Sequence, residues 1–488
     1  MDHMYYKIKD DVLFRKYEGH GYIADNSEYG YRMLNDTRRY RGERYVSASG
    51  AVMLSMLSRS PRSLDDAVEA LSRIFVGVER DVLKQDTAEF FDMFADEGFL
   101  CRGETADTCA DQASGGVSES REDVPGSNAV VTNDCAGGSI NANEFLRSIH
   151  IDVADACNER CVHCYIPNEQ KVNVIDSDLF YRIVEEGREM NIIHVTLSGG
   201  EPLLHKDIIG FLKKCRELDL SVNVLSNLTL LNDDIISEMK RNPLLSVQTS
   251  LYSVDAAAHD SITRLNGSCE KTKAGILRLC EAGIPVQISC PLIKQNKDGY
   301  ADVLHWGWDH NIAVAAEPVI FGAYDHSGSN LKNRLSFEEV DEVLTVQMKE
   351  GFAESLLRTA EDKEKLTGND PICSICRYSF CVTAAGKVFP CAGWQNYVIG
   401  DLNRQTLREV WENSEKIKAL RQIKRSRFPR CVDCADRGYC TVCMMCNANE
   451  NPDGDPFKIN EHRCRVAAAI HHKVDLYAQA RERNSAGK

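Results

Sequence analysis

The sequence contains no long apolar run and no excess of positive charge. No stretch of about eighteen uninterrupted apolar residues occurs, so we expect no membrane partner. The formal net charge is -15, which argues against nucleic-acid binding because that binding relies on cations that neutralise phosphates. The opening MDHMYYKIKDDVLF lacks the basic start and apolar segment of a signal peptide. We therefore expect a cytoplasmic protein with reduced thiols, whose partners are peptides or small molecules.

Cysteine, in contrast, is abundant and unevenly placed. The chain contains 20 cysteines, of which three lie at Cys157, Cys161 and Cys164 and ten more between Cys373 and Cys464. In a reducing compartment such clusters are expected to bind metal, to catalyse or to pack in a core. The sequence therefore predicts at least one metal-binding region.

Length and composition divide the chain into several segments, because 488 residues exceed what one hydrophobic core organises. We expect an N-terminal domain at residues 1–100, a flexible linker at 101–143, an α/β core at 144–330, a bridging region at 331–370, a cysteine-rich domain at 371–475 and a tail at 476–488. The linker is rich in Gly, Ser, Asp and Asn and cannot bury enough apolar surface to fold. Its cysteines, Cys101, Cys109 and Cys135, lack metal-like spacing and are interpreted as incidental.

The N-terminal segment predicts a small β-hairpin unit followed by three helices. Strand patterns occur in DDVLFRKY and HGYIAD, and helical periodicity occurs in SGAVMLSML, SLDDAVEALSRIF and ERDVLKQDTAEFFDMFADEGFL. Ser63 is the expected N-cap of the second helix, and Gly98 is the expected C-cap of the third.

The segment from about residue 145 to 320 alternates between apolar strands and amphipathic helices. This alternation indicates βαβ units with a parallel sheet, and six strands are countable. Functional residues are expected on the loops at the carboxyl ends of the strands. CNERCVHC follows the first strand and SGGEP ends the second.

The three-cysteine loop predicts a 4Fe-4S cluster. Thiolates bind iron well, and the Cys-x3-Cys-x2-Cys spacing lets one loop hold three corners of a cluster. The fourth iron can then hold a small molecule, which the backbone of Gly199 and Gly200 can approach closely because they lack Cβ atoms. A structural zinc site is the alternative, but His163 lies awkwardly between two of the cysteines.

With these motifs the sequence resembles the radical S-adenosylmethionine (radical SAM) enzymes. The resemblance implies that Cys157, Cys161 and Cys164 bind the cluster, and that the cluster and SAM generate a 5′-deoxyadenosyl radical that abstracts a substrate hydrogen. It also implies the following SAM contacts: Gly199, Gly200, Glu201, Pro202, Ser226, Asn227, Ser250 and Arg264. The implied fold is α/β, a partial (β/α)6 barrel between an N-terminal winged-helix-like α+β domain and a C-terminal iron-sulfur domain.

The C-terminal cysteines resemble the SPASM extension of these enzymes, which carries two auxiliary 4Fe-4S clusters. The resemblance implies three 4Fe-4S clusters in all, the second auxiliary one being held by Cys431, Cys434, Cys440 and Cys464. The first would be held by Cys376 and Cys391 with Cys446 or Cys443, and either Cys373 or Cys381 is available as the fourth ligand. A pair of zinc ribbons is the alternative, but it does not account for ten thiols.

The N-terminal domain resembles the PqqD-like element with which peptide-modifying enzymes hold the leader of a precursor peptide. The matching positions are diffuse, in YVSASGAVMLSML, SLDDAVEAL and FADEGFL. A hairpin edge beside a helix can accept a peptide as an added strand. A DNA-binding winged helix is the alternative, but acidic residues such as Asp65, Asp66 and Asp92 argue against it.

Together these resemblances imply a maturase of a ribosomally made peptide, similar to those of sactipeptides and ranthipeptides, that forms thioethers from precursor cysteines to carbon. A flavodoxin- or ferredoxin-type protein is the expected reductant. The alternatives are carbon-carbon cyclophane formation, epimerisation, and sulfatase-type formylglycine formation, against which Ala392 stands where that branch has an acidic residue. A non-catalytic electron-transfer protein is a further alternative that does not account for SGGEP.

The remaining cysteines and histidines have no ligand-like spacing and are expected in the core or on the surface. They are Cys215, Cys269, Cys280, Cys290, His194, His305 and His310.

Overall fold

The computed structural model describes residues 4–25, 42–110 and 145–486, with side chains to residue 483. Most of the predicted linker, including Cys135, lies outside these ranges.

The N-terminal unit contains two small sheets and three helices in its described residues. The strands are β1 Tyr5–Ile8, β2 Val12–Tyr17, β3 His20–Asp25, β4 Glu43–Ser47, β5 Arg62–Ser63 and β6 Leu100–Gly103. The helices are α1 Ala48–Leu54, α2 Leu64–Ser72 and α3 Arg80–Asp96. One sheet has the order β5-β1-β6 and the other β2-β3-β4, both antiparallel. The predicted hairpin and three helices are therefore present.

Helix ends in this unit follow the local sequence. The Ser63 side chain accepts a hydrogen bond from the Asp66 backbone N–H and caps α2 as predicted. Gly98 follows α3 with a φ of 90°, which a residue with a Cβ rarely adopts. The apolar faces of the helices meet in a core that includes Leu64, Phe91 and Phe94.

The ordered N-terminal unit extends beyond the predicted boundary at residue 100. Strand β6 pairs with β1 along its whole length, which places Cys101 opposite Lys7. Cys101 and Cys109 are both buried, and the Cys109 thiol donates to the Cys101 carbonyl at 3.5 Å. Assigning residues 101–110 to the linker was therefore wrong, because composition alone did not reveal the long-range pairing with β1.

The core is a run of parallel strands connected by helices. The strands are β7 Ser148–Ala154, β8 His194–Gly199, β9 Ser221–Leu225, β10 Leu245–Ser250, β11 Val286–Pro291 and β12 Ala313–Glu317. The helices are α4 Ser177–Glu189, α5 Ile208–Glu217, α6 Asp233–Lys240, α7 Ala256–Thr263, α8 Ser268–Glu281 and α9 Tyr300–Asp309. The strands lie side by side in sequence order, as a partial (β/α)6 barrel requires. The sequence pattern missed only the short helix α7 among these.

The C-terminal region continues the same sheet. Its strands are β13 Ser379–Val382, β14 Lys387–Phe389 and β15 Gly400–Asp401. Strand β13 pairs in parallel with β7, so the sheet reaches nine strands in the described residues. The helices are α10 Phe337–Lys349, α11 Ala353–Glu364, α12 Leu407–Asn413, α13 Glu415–Arg421, α14 Pro429–Val432, α15 Met444–Glu450 and α16 Glu461–Ala486.

Helix α16 runs without a break across residue 475, where the sequence predicted the start of a tail. None of the helices in the described ranges combines the length and the apolar content that a membrane span requires.

The N-terminal unit docks against the amino-terminal edge of the barrel. The buried Arg15 guanidinium donates to the Ile192 carbonyl at 3.2 Å and to the Asp219 carboxylate at 3.0 Å. Tyr17 donates its hydroxyl hydrogen to the Asn191 carbonyl at 2.9 Å. These core residues precede β8 and β9, so the docked unit lies at the opposite end of the strands from SGGEP.

Candidate active site

A cavity of about 420 Å³ opens at the carboxyl ends of the core strands, a size typical of small-molecule sites. Most of the residues predicted to hold the first cluster and SAM line it: Cys157, Cys161, Cys164, Gly199, Gly200, Ser226, Asn227 and Ser250. Glu201, Pro202 and Arg264 do not line it. The fold thus collects residues from the ends of β7, β8, β9 and β10 around one space.

The cysteine loop is fixed by backbone hydrogen bonds to the end of α7. Arg160 donates to the Thr263 carbonyl at 2.9 Å, and Val162 donates to the Ile262 carbonyl at 3.0 Å. Helix α7, which sequence reasoning missed, therefore holds the middle of the loop.

The three thiols of this loop are neighbours in a largely enclosed place. Burial raises the pKa of Cys157 to about 11. It raises the pKa of Cys161 well above its ordinary value, and the charges of Glu159, Cys164 and Cys157 add to that rise. Three thiolates so close together require a cation to stabilise them. The donor set fits an iron-sulfur cluster held by three thiolates.

Gly199 and Gly200 are required by the protein backbone beside them. A Cβ on Gly199, which has a φ of 120°, would lie 2.1 Å from the Ala154 carbonyl oxygen. A Cβ on Gly200 would lie 2.4 Å from the Ala156 carbonyl oxygen. Gly200 also donates its N–H to the Ala154 carbonyl at 2.6 Å. The glycines therefore let β8 press against the residues that lead into Cys157, besides lining the cavity.

Glu201 is fully buried and organises the next strand end. Its carboxylate accepts hydrogen bonds from the Ser226 hydroxyl at 2.8 Å, the Asn227 N–H at 2.8 Å and the Leu203 N–H at 2.9 Å. Burial raises the pKa of Glu201 to about 7 against the opposing effect of these donors. Asn227 in turn donates to the Asn158 side chain at 2.9 Å, which ties this loop to the cysteine loop. Glu201, which does not itself line the cavity, thus holds Ser226 and Asn227 in their places in the lining.

Among the described residues that line the cavity, the one lysine or arginine is Lys171, which the sequence did not single out. Lys171 is 6% exposed and lines the cavity, and its charge lowers the pKa of both Cys157 and Glu159. Arg264 instead lies exposed at the end of α7 with a φ of 58°. The loop that carries Lys171 contains no motif, so only the folded structure brings this lysine to the site.

Two carboxylates that line the cavity were not among the site residues predicted from the sequence. Glu159 lies between cluster cysteines and accepts a hydrogen bond from the Cys161 thiol at 3.3 Å, and burial raises its pKa to about 7. Glu317, the last residue of β12, lines the same cavity. Glu159 could have been noticed as an acid inside the three-cysteine motif, whereas Glu317 carries no local signal.

Four C-terminal cysteines meet as one group, in the set that the SPASM resemblance implies. Burial raises the pKa of Cys431 to about 11, and the neighbouring thiolates of Cys440, Cys464 and Cys434 add to that rise.

A second group forms around Cys391. Burial raises the pKa of Cys391, and the charges of Cys443, Cys373 and Cys376 contribute to the rise. Cys446 is hydrogen-bonded to Cys443, and its thiol lies 3.7 Å from the Arg463 guanidinium. The thiol of Cys381 points instead to the Asp152 carboxylate at 3.8 Å. The geometry therefore groups Cys373 and Cys443 with Cys376 and Cys391.

The remaining predicted core and surface residues lie away from the cavity. Cys215, Cys269 and Cys290 are buried, and Cys280 is half-buried against the core. His194 is buried beside the Ser221 hydroxyl at 2.9 Å. His305 contacts Glu350, and His310 contacts the Trp306 carbonyl, both at the surface.

Three family profiles match separate parts of the chain. The radical SAM superfamily matches residues 151–307, an iron-sulfur cluster-binding (SPASM) domain matches 373–435, and coenzyme PQQ synthesis protein D (PqqD) matches 39–100. The first two matches imply 4Fe-4S clusters and SAM as cofactors.

Two curated relatives match the core and C-terminal region. The chain is 26% identical to an AdoMet-dependent heme synthase of Methanosarcina barkeri over 325 residues, which are 62% of this chain and 91% of that protein. It is 22% identical to a PqqA peptide cyclase of Bradyrhizobium diazoefficiens over 337 residues, 63% of this chain and 85% of the relative.

Two solved structures share the fold. SuiB of Streptococcus suis, bound to the precursor peptide SuiA, superimposes with a TM-score of 0.59 at 13% identity, covering 95% of this chain and 99% of that one. The enzyme anSMEcpe, bound to AdoMet and the Cp18Cys peptide, has a TM-score of 0.53 at 16% identity, covering 70% of this chain and 98% of that one. The SuiB match extends the shared fold over nearly the whole molecule.

Proposed function

We propose that this chain, a radical SAM enzyme with SPASM and PqqD-type domains, matures a ribosomally made peptide by joining precursor cysteines to carbon as thioethers. The observation that carries the proposal is a PqqD-type unit docked on a core whose cavity collects three cluster-type cysteines. Thioether formation removes two hydrogens and is therefore an oxidation. The two further cysteine groups favour such a reaction, because clusters held by them could accept the electrons.

The names of similar proteins support a peptide as substrate. SuiB binds the precursor peptide SuiA in its crystal structure, and PqqA peptide cyclase is named for its peptide. The cluster chemistry needs a reducing compartment, so we also propose a cytoplasmic location and a flavodoxin- or ferredoxin-type electron donor.

The residues of the cavity fit a cluster and SAM. Cys157, Cys161 and Cys164 would hold the 4Fe-4S cluster, which with bound SAM supplies a 5′-deoxyadenosyl radical. Lys171 is suited to bind the SAM carboxylate in place of Arg264, because an enclosed cation pairs strongly with an anion. Glu201 keeps Ser226 and Asn227 in place to contact SAM.

The leader of the precursor would bind at strand β4. This strand is an edge of the β2-β3-β4 sheet in the described residues. The end of α3 lies beside it, where Arg44 pairs with Glu97 at 3.3 Å. An extended peptide can add to such an edge through backbone hydrogen bonds.

Each of the two C-terminal cysteine groups would hold an auxiliary 4Fe-4S cluster. We assign Cys373, Cys376, Cys391 and Cys443 to the first cluster and Cys431, Cys434, Cys440 and Cys464 to the second. We therefore expect Cys443→Ser to lower the iron content of the reconstituted enzyme from about twelve to about eight per chain. Cys446→Ser, the matched control, should retain all of it. Iron analysis with EPR of the reduced protein measures both, and the reverse result would assign Cys446 as the ligand.

Mass spectrometry of a precursor incubated anaerobically with reconstituted enzyme, SAM and a low-potential reductant tests the function. The candidate precursor is a short cysteine-rich peptide encoded beside this protein. We expect a loss of about 2 Da per event, and modified cysteines that no longer react with iodoacetamide. An unchanged mass with 5′-deoxyadenosine formed would favour epimerisation, and no deoxyadenosine with any precursor would contradict the radical reaction.

Carbon-carbon cyclophane formation is the second candidate, favoured by the similarity to PqqA peptide cyclases. The same assay separates it, because two hydrogens would be lost while every precursor cysteine remained open to alkylation.

A further inference from the structure

One carboxylate faces the cavity from the strand opposite the cysteine loop. Glu317 ends β12, where its carbonyl accepts a hydrogen bond from Leu292 at 2.9 Å. Its side chain is exposed and lines the cavity, and many protein atoms surround it. Among the described residues it makes no side-chain hydrogen bond, so its oxygens are available to a ligand.

The position of Glu317 suits a peptide substrate. Strand β12 is the end strand of the nine-stranded sheet in the described residues, so this side of the partial barrel is not closed by a further strand. Glu317 therefore lines the cavity from the β12 side, across from the cysteine loop after β7. The other carboxylate of the lining, Glu159, lies inside the cysteine loop beside Cys161.

The charges around Glu317 come from two C-terminal helices and from across the cavity. Arg463 on α16 and Lys363 on α11 lower its pKa, but burial has the larger effect and raises it above the ordinary value. Glu159, Lys171 and His163 face the same space from the cysteine side. A carboxylate whose proton affinity is raised by burial is a better base, because its pKa approaches that of the group it deprotonates.

We propose that the Glu317 carboxylate accepts the thiol proton of a precursor cysteine in this cavity, an assignment that rests on the proposed thioether formation. The S–H bond breaks, the proton moves to a carboxylate oxygen of Glu317, and the electron pair stays on sulfur. The products are a peptide thiolate and a neutral carboxylic acid. The thiolate is the form of the cysteine that is ready to bond to carbon.

The variant Glu317→Gln tests the assignment because it keeps the shape and removes the base. We expect unchanged iron content and unchanged precursor affinity by fluorescence anisotropy. At pH 7 thioether formation should fall by roughly 10²- to 10⁴-fold. It should recover as the pH rises past about 8.5, where a free thiol ionises unaided. Glu281→Gln, which changes an exposed acid at the end of α8, should behave as wild type.

A second measurement does not depend on turnover. The rate at which limiting N-ethylmaleimide alkylates the precursor bound to SAM-free enzyme, read by mass spectrometry of the peptide, reports how readily the bound thiol gives up its proton at pH 7 as its sulfur bonds to carbon. We expect Glu317→Gln to lower this rate by about tenfold or more, because no carboxylate then accepts the proton while sulfur bonds to carbon, and few peptide thiols are ionised at pH 7.

Equal alkylation rates for wild type and variant would overturn the assignment, as would a loss of activity of the same size at every pH. A wild-type enzyme that alters the precursor without consuming cysteines would refute the thioether proposal. The alkylation measurement would still decide whether Glu317 deprotonates the bound thiol.

Discussion

Replacing Cys157, Cys161 and Cys164 together by alanine will abolish SAM cleavage and leave precursor binding intact. The three thiols line the cavity, whereas the proposed leader site lies on the docked N-terminal unit at the other end of the strands. Without the proposed cluster ligands no radical would form, and uncatalysed reactions are slower by at least about 10⁶-fold. Chromatography of 5′-deoxyadenosine measures cleavage, and fluorescence anisotropy measures peptide binding.

The iron content of the triple variant and a control variant complete this test. Iron should fall by about four atoms per chain, since the two proposed C-terminal clusters would keep their ligands. Cys280→Ala, in which a half-buried cysteine of α8 is lost, should cleave SAM as wild type does. Deoxyadenosine production by the triple variant would refute the assignment of these cysteines.

Asp219→Asn will loosen the N-terminal unit from the barrel. The Arg15 side chain is 1% exposed and pairs with the Asp219 carboxylate, to which Arg59 also donates. Burial lowers the pKa of Arg15, and the Asp219 charge opposes that effect. Removing the carboxylate leaves the buried guanidinium with carbonyl partners but without its ionic partner, a loss of about 3 to 5 kcal/mol in the free energy that holds the unit in place.

Hydrogen exchange of β2 and β3 measures the loosening, and asparagine is chosen because position 219 has a φ of 55°, which Asn tolerates. The control is Asp233→Asn, whose side chain is 95% exposed beside Arg278, and it should change stability by less than about 1 kcal/mol. Unchanged exchange in Asp219→Asn would mean that the apolar contact of Leu13 and Tyr22 with Ile193 and Leu244 suffices for docking.

The architecture could be predicted from the sequence where local pattern determines structure. Alternating strands and helices placed all six core strands, because each strand carries apolar residues that are buried against the helices. The motifs CNERCVHC and SGGEP were predicted to meet because parallel strands align their carboxyl ends, and their residues do line one cavity.

The rest depends on contacts between distant parts of the chain. Lys171 and Glu317 reach the cavity from a motif-free loop and from a sixth strand, and no local spacing marks either residue. The two glycines were expected to admit a ligand, yet a Cβ on either would also strike the backbone of residues 154–156. The choice between Cys443 and Cys446 turns on which thiol faces Cys391.

Strand β13 lies in the region that matches the iron-sulfur domain profile, but it pairs with β7 of the core. The boundary between the two profile matches is therefore not a boundary between separate sheets. Residues 379–382 complete the hydrogen bonding of the strand that leads directly into Cys157. A protein shortened before β13 would leave β7 as a bare strand edge, open to pairing with other chains. The region that matches the iron-sulfur domain profile therefore covers this strand edge of the core as well as carrying its own thiols.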